Sequence, residues 1–425
     1  MTQLNLRPRL KPHMTDQRPY HDFARRLRDA ISRASEQPDS LGDNEFQALA
    51  LELFWLQYQH IAPYRSLCDR RQKTPTTVTN WRDIPALPTS AFKDLELTSL
   101  PPAERTHVFH SSGTTEQRPS RHFHNRDSLA VYETSLLPWF AKHVLKSAAG
   151  FQPAVRAATN LNATLELNVP LYSPSPFNEE RAGVRSESKH YPPDSLKFIA
   201  LTPSSESCPN SSLIHMFESV QKEFGVGEIK FYGELGSDKA WEIRFPDVFA
   251  DLENAATTDQ PVLLLGTAFL FVHLLDELEA RQKHFQLPAG SRLMETGGYK
   301  GRSRELPKAE LHRQLAARLG LPDSHILCEY GMSELSSQAY DRVCGSPAPR
   351  RFQFPPWARV VIVSPETGQE AAVGETGLVC IHDLANVWSI AAVQTEDLAT
   401  RHADGFELLG RAAQSEPRGC SLMAR

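Results

Sequence analysis

The stretch HSSGTTEQRPSRHFH, residues His110 to His124, sets two serines, a glycine and two threonines in a row, with Arg118 and Arg121 behind them. Backbone N–H groups in such a loop can converge on phosphate oxygens, and the hydroxyls add further donors. Gly113 lets the backbone approach closely, and either arginine can neutralise charge. The glycine spacing and Gly-Lys-Ser/Thr ending of the Walker loop are absent. Alone, the stretch reads equally as an anion-wrapping loop or a solvated turn.

The elements that must position it can be read from pattern. At 425 residues the chain is too long for one small core and suits two or three packed subdomains. With 40% apolar and 23% charged residues it is a folding chain, and a net charge of −5 argues against a general nucleic-acid or anionic-membrane binder. The six cysteines form no C-x-x-C pair, so neither a zinc frame nor a compact disulfide scaffold is expected. The first twenty residues hold no apolar run of a secretory signal. PVLLLGTAFLFVHLLDELEA, broken by Asp276, falls short of a membrane span, and a cytoplasmic location is expected.

Helical periodicity is visible over Tyr20–Ala34 and in NEFQALALELFWLQYQHIAPYRSLC, where Asp43 or Asn44 can cap the helix and Pro63 end it. LKFIALTP, PVLLLGTAFLFVHLLDEL and SHILCEYGMSEL each read as a strand leading into a turn, the first two then into a helix. That alternation predicts an α/β architecture with a largely parallel sheet. From about Arg350, short strands joined by glycine turns predict a small β-rich unit.

The loop does not stand alone. In chain order SSGTT, EYGMSEL and TEDLATRHADGFELLGR (Thr395 to Arg411) resemble the three nucleotide motifs of the adenylate-forming (ANL) superfamily of acyl- and aryl-activating enzymes. The resemblance implies that Ser111, Ser112, Gly113, Thr114 and Thr115 hold the ATP phosphates and that Tyr330, beside Gly331, lies along adenine. It further implies that Ser333 bonds the α-phosphate, Glu334 holds Mg²⁺, and Asp397 takes the ribose hydroxyls with Arg411 beside it. Gly297 and Gly298 of ETGGYKGR resemble the flat segment against which that family packs adenine. A carboxylate suits a hard cation. Three departures stand out: Glu116 and Glu396 replace glycines, Ser333 replaces threonine, and only fourteen residues follow Arg411. The expectation is an adenylation domain without the family's mobile C-terminal domain. Lys300 is then the candidate for the cation that meets charge building on the α-phosphate.

The ending GRAAQSEPRGCSLMAR, together with IPALPTSAFKDLEL, SSGTT, ETGGYKGR and PYRSLC, resembles the acyl-protein synthetases of bacterial fatty acid reductase complexes (LuxE-like) from about Glu45 to Leu422. That resemblance implies activation of a fatty acid as acyl-adenylate, transfer to Cys420, and delivery to a reductase partner. Cys420 stands nine residues beyond Arg411, and at ~3.4 Å per residue the tether spans about 30 Å. Expected boundaries are an extension over 1–43, the adenylation domain over 44–411 with its β-rich part at 345–411, and a thiol tail over 412–425. Two other readings stay open: a ligase releasing acyl-AMP or a coenzyme A thioester directly, and a non-catalytic subunit of this fold. Phe269, Phe271 and His273 are candidates for an acyl tunnel or for core. His107, His110, His122 and His124 have spacings that a metal could use, though the loop already has a role.

Overall fold

The computed structural model describes residues 17–111, 118–145, 196–225, 229–237, 240–299 and 303–412. A six-stranded sheet lies at its centre, in the order Ala339–Tyr340, Ile326–Tyr330, Arg292–Thr296, Val262–Thr267, Lys197–Ala200, Lys230–Phe231. All neighbours pair in parallel except the first two, which are antiparallel. Successive strand residues face opposite ways. Leu263, Leu265, Met294 and Leu327 therefore enter the larger core, while Val262, Leu264, Leu293 and Ile326 enter the smaller one. Burial on both faces explains why PVLLLG is a continuous apolar run rather than an alternating one.

Three helices cover the smaller core: Phe245–Thr258, Ala268–Ala280 and Lys308–Leu319. Phe269 and Phe271 lie on the second of these, exposed by only 4% and 0%, and pack within that core. The larger core gathers the helices Asp43–His60, Arg126–Phe140 and Ser212–Phe224. Asn125 caps the second of these in a reciprocal box with Ser128, satisfying two otherwise orphaned donors. The amphipathic pattern near the start becomes the helix Arg18–Glu36, whose Tyr20, Phe23, Leu27 and Ile31 join the same core.

The helix expected from Asp43 or Asn44 begins at Asp43 with Gly42 as N-cap and no side-chain cap bond. Asp43 instead pairs with Arg359 at 2.6 Å. Pro63 does not end that helix; it stands in the first turn of the next, Ala62–Arg70, after a break at Ile61. Proline fits there because the first helical N–H groups have no partner to lose.

The β-rich unit is a five-stranded sheet of Ala358–Val363, Thr376–Asp383, Ala392–His402 and Gly405–Arg411, antiparallel throughout, with Leu87–Pro88 added in parallel at Ala392–His402. Among the described residues no helix is long and apolar enough to cross a membrane.

Candidate active site

Two loops and a strand pair meet beyond the carboxyl ends of the parallel strands, where open α/β sheets place their ligands. The first is the hairpin His107–His110 with Arg121–His124. Past it, Ser111 Oγ accepts from the Ser120 N–H at 2.9 Å, so the two ends of the small-residue loop are pinned together. Ser112, Gly113, Thr114 and Thr115 lie outside the described residues.

The second loop follows the strand Ile326–Tyr330. Ser333 and Glu334 are buried, and Ser333 Oγ donates to Glu334 Oε2 at 3.1 Å. Ser333 is also held by the hairpin. Its Oγ is 3.3 Å from Ser120 Oγ, and its carbonyl accepts from His122 Nδ1 at 2.8 Å. Burial pushes His122 down to about 4, so the ring is neutral and its proton sits on Nδ1 to make that bond. His124 packs against it with ring centroids 4.2 Å apart. Among the described residues no three His, Cys, Asp or Glu side chains cluster as a metal site.

The third contribution comes from two paired strands of the β-rich sheet, Ala392–His402 and Gly405–Arg411, on which Asp397 and Arg411 are register partners. Tyr330 Oη donates to Asp397 Oδ2 at 2.8 Å, and Arg411 Nε stands 3.8 Å from Asp397 Oδ1 with its guanidinium largely exposed. Burial raises the Asp397 carboxyl, with Tyr330 and Arg411 opposing. Thus Tyr330, Asp397 and Arg411, far apart in sequence, share one seam. Gly297 and Gly298 are exposed at the end of Arg292–Thr296, Gly297 at φ +70°, with open space where a side chain would stand. A Cβ at Gly331 would meet the end of the Glu329 carboxylate, which would have to shift to admit it. Lys300 and Cys420 lie outside the described residues.

Several positioning groups escaped the sequence reading. Phe352, Phe354 and Phe406 ring Tyr330 with centroids 6.0–6.2 Å away. The i, i+2 phenylalanines of RFQF were the visible signal for a shared face. Buried Asp383 accepts from the N–H groups of Ser336 and Ser337 at 2.9 and 2.8 Å, and Asn386 Nδ2 donates to the Glu334 carbonyl at 2.9 Å. Together they clamp the turn that carries Glu334. The acid-and-amide pair in HDLAN, at a strand end, was the only hint.

This fold is that of the adenylate-forming ligases. The chain is similar to 2-hydroxyisobutyryl-CoA ligase in complex with 2-HIB-AMP and CoA in the thioesterification state, at 11% identity and a TM-score of 0.58, over 87% of this chain and 68% of that one. It is likewise similar to the open conformation of that enzyme, at 11% identity and a TM-score of 0.55, over 87% and 70%. Residues 199–425 match the family described as acyl-protein synthetase, LuxE, and the chain belongs to that family. By family it is an acyl-adenylate-forming ligase. A search of curated proteins finds no match.

Proposed function

We propose that the protein activates a fatty acid with ATP as an acyl-adenylate, transfers the acyl group to Cys420, and delivers it to a reductase partner that makes the aldehyde. The observation that carries this reading is the convergence of three sequence-distant motifs. Ser120 meets Ser333, Ser333 meets Glu334, and Tyr330 meets Asp397 at hydrogen-bond distances.

In this reading Ser111 to Thr115 and Ser333 take the phosphates. Tyr330 and the open Gly297–Gly298 edge flank adenine, and Asp397 with Arg411 takes the ribose. The donor set Ser120, Ser333 and Glu334 is all oxygen, which fits Mg²⁺, an ion that takes one or two carboxylates and leaves the rest to phosphate and water. Glu334 would hold that ion, which when bound neutralises phosphate charge. The chain's own work is to align the acid with the α-phosphate and to keep water out. Lys300 is the proposed cation for the developing charge. The acyl-adenylate is a mixed anhydride, and attack by the Cys420 thiolate forms the thioester and expels AMP.

The test is acid-dependent ATP–pyrophosphate exchange, followed by intact mass and peptide mapping. Wild type should exchange and carry an acyl adduct on Cys420. Cys420→Ser should exchange without an adduct, and Glu334→Gln should do neither. Full exchange in Glu334→Gln would remove the metal assignment. An adduct on another cysteine would remove the tail mechanism while leaving adenylation standing, and no exchange with any acid would favour a non-catalytic subunit.

A further inference from the structure

Adenylation leaves unused a compact cluster beside the site. Cys328 is the register partner of Glu295 on the neighbouring strand, and the helix Lys308–Leu319 lies over both. Lys308 Nζ is 2.8 Å from Cys328 Sγ and 3.8 Å from Glu295 Oε1. His312 Nε2 is 3.2 Å from the same carboxylate oxygen. Glu295 and His312 are each 1% exposed, and among the described residues Glu295 Oε2 and His312 Nδ1 have no hydrogen-bond partner. The Lys308 side chain is 42% exposed, whereas Cys328 beneath it is 3% exposed.

Two features separate this arrangement from an ordinary structural ion pair. Lys308 is the first residue of its helix, where the dipole disfavours a cation. A separation of 2.8 Å is ordinary for N–H···O, but sulfur is the larger atom, so at that length amine and thiol are in hard contact. The cluster thus holds a thiol, an amine touching it, a buried carboxylate facing that amine, and an imidazole on the carboxylate.

We propose that Lys308 and Cys328 form a redox modification site at which a peroxide joins Nζ to Sγ through one oxygen atom. In the first step the thiol attacks a peroxide oxygen. The O–O bond breaks, an S–O bond forms, and one water leaves, giving the sulfenic acid. Lys308 releases its third proton to solvent at its exposed end and becomes a neutral amine. In the second step an N–O bond forms between Nζ and the sulfenic oxygen. One hydrogen from nitrogen and the hydroxyl hydrogen are lost, and a second peroxide is reduced to two waters. Sulfur and nitrogen are oxidised and the two peroxides reduced. Reduction reverses the sum: two dithiols become two cyclic disulfides, and thiol, amine and one water are regained.

The bridge would tie the first turn of the helix to the strand two residues before Tyr330. Burial, then Glu295, push the thiol's pKa well up, so Cys328 is a poor competitor for acyl groups and oxidises slowly, in excess peroxide.

The test uses full-length protein and hydrogen peroxide, read by non-reducing peptide mapping and intact mass. The expected product is one peptide joining Lys308 to Cys328, with one oxygen gained and two hydrogens lost, uncut by trypsin after Lys308 and released by dithiothreitol. Lys308→Arg should give no joined peptide under the same treatment. Cys328 carrying added oxygen with Lys308 unlinked would overturn the proposal. So would both residues unmodified at a peroxide excess that oxidises Cys68 and Cys380, which are likewise buried with raised thiol pKa values. The wild-type map decides the matter alone if Lys308→Arg does not fold.

Discussion

Two successive register pairs on the same two strands have opposite electrostatic fates. Glu295 stands opposite Cys328, and Thr296 stands opposite Glu329, so the two glutamates point to opposite faces of the sheet. Both are buried, Glu295 at 1% and Glu329 at 4% exposure. Burial alone would raise both. Glu295 nevertheless lies below the usual carboxylate value, because Lys308 and then His312 outweigh its desolvation. Glu329 has the Thr296 hydroxyl as donor, and burial, with the charge of Glu295 adding to it, raises its pKa to about 7. Desolvation is common to the two; the chemistry of the partner decides the charge. One face therefore keeps a fixed anion, while the other keeps a proton that can leave near neutrality.

The largest expected effect comes from breaking the charged face. His312→Ala removes a donor from a fully buried carboxylate and leaves a cavity, costing about 4 kcal/mol at pH 7 by urea unfolding. A cost under about 1 kcal/mol would mean that Lys308 alone holds Glu295. The same face should weaken in acid. A lowered carboxyl contributes stability above its unfolded value and loses that contribution as pH falls through its folded value.

The opposite face should show the opposite slope. The Glu329 value is raised from 4.5 to about 7, so its contribution is complete below the unfolded value and is lost as pH rises through about 7. Wild type should lose on the order of 3 kcal/mol across that window from this group. Glu329→Gln keeps an acceptor for Thr296 and cannot ionise, so its stability curve should lack that fall. Parallel curves for the two proteins from pH 4.5 to 8 would remove Glu329 as the titrating group. A smaller change sharpens the same contrast. Thr296→Val keeps the shape but deletes the donor, costing about 1 kcal/mol and moving the Glu329 transition to higher pH.

The contrast also marks what the sequence can and cannot carry. PVLLLG and ILC announce buried strands through short apolar runs, and the Tyr330, Glu334 and Asp397 motifs keep local spacings that survive in one dimension. The parallel sheet and the β-rich unit were legible for that reason. Register is not local. Nothing in ETGG or ILCEY says that Glu295 falls opposite Cys328 rather than opposite Glu329, yet a slip of one residue would put both carboxylates on one face. Asp383 and Asn386 hold a turn some fifty residues away in sequence, and the Tyr330 aromatic ring is drawn from two segments more than fifty residues apart. Pro63 was misread because a proline's position within a helix depends on where the preceding helix breaks.

The smallest expected effect lies where the strand pair hands over to the seam of Tyr330 and Asp397. Tyr330→Phe keeps the ring among Phe352, Phe354 and Phe406 and deletes the hydroxyl that donates to Asp397. Asp397 is 22% exposed, so water can replace the lost donor, and the stability cost should stay at about 0.5–1 kcal/mol. If Asp397 accepts from ribose hydroxyls, the tyrosine serves to aim it, and its loss should weaken ATP binding by about threefold, or ~0.6 kcal/mol, measured by calorimetric titration. Unchanged affinity with lowered stability would make the hydroxyl a packing group for the seam. A loss beyond tenfold would mean that the hydroxyl itself touches the nucleotide, and the division of labour between Tyr330 and Asp397 would have to be redrawn.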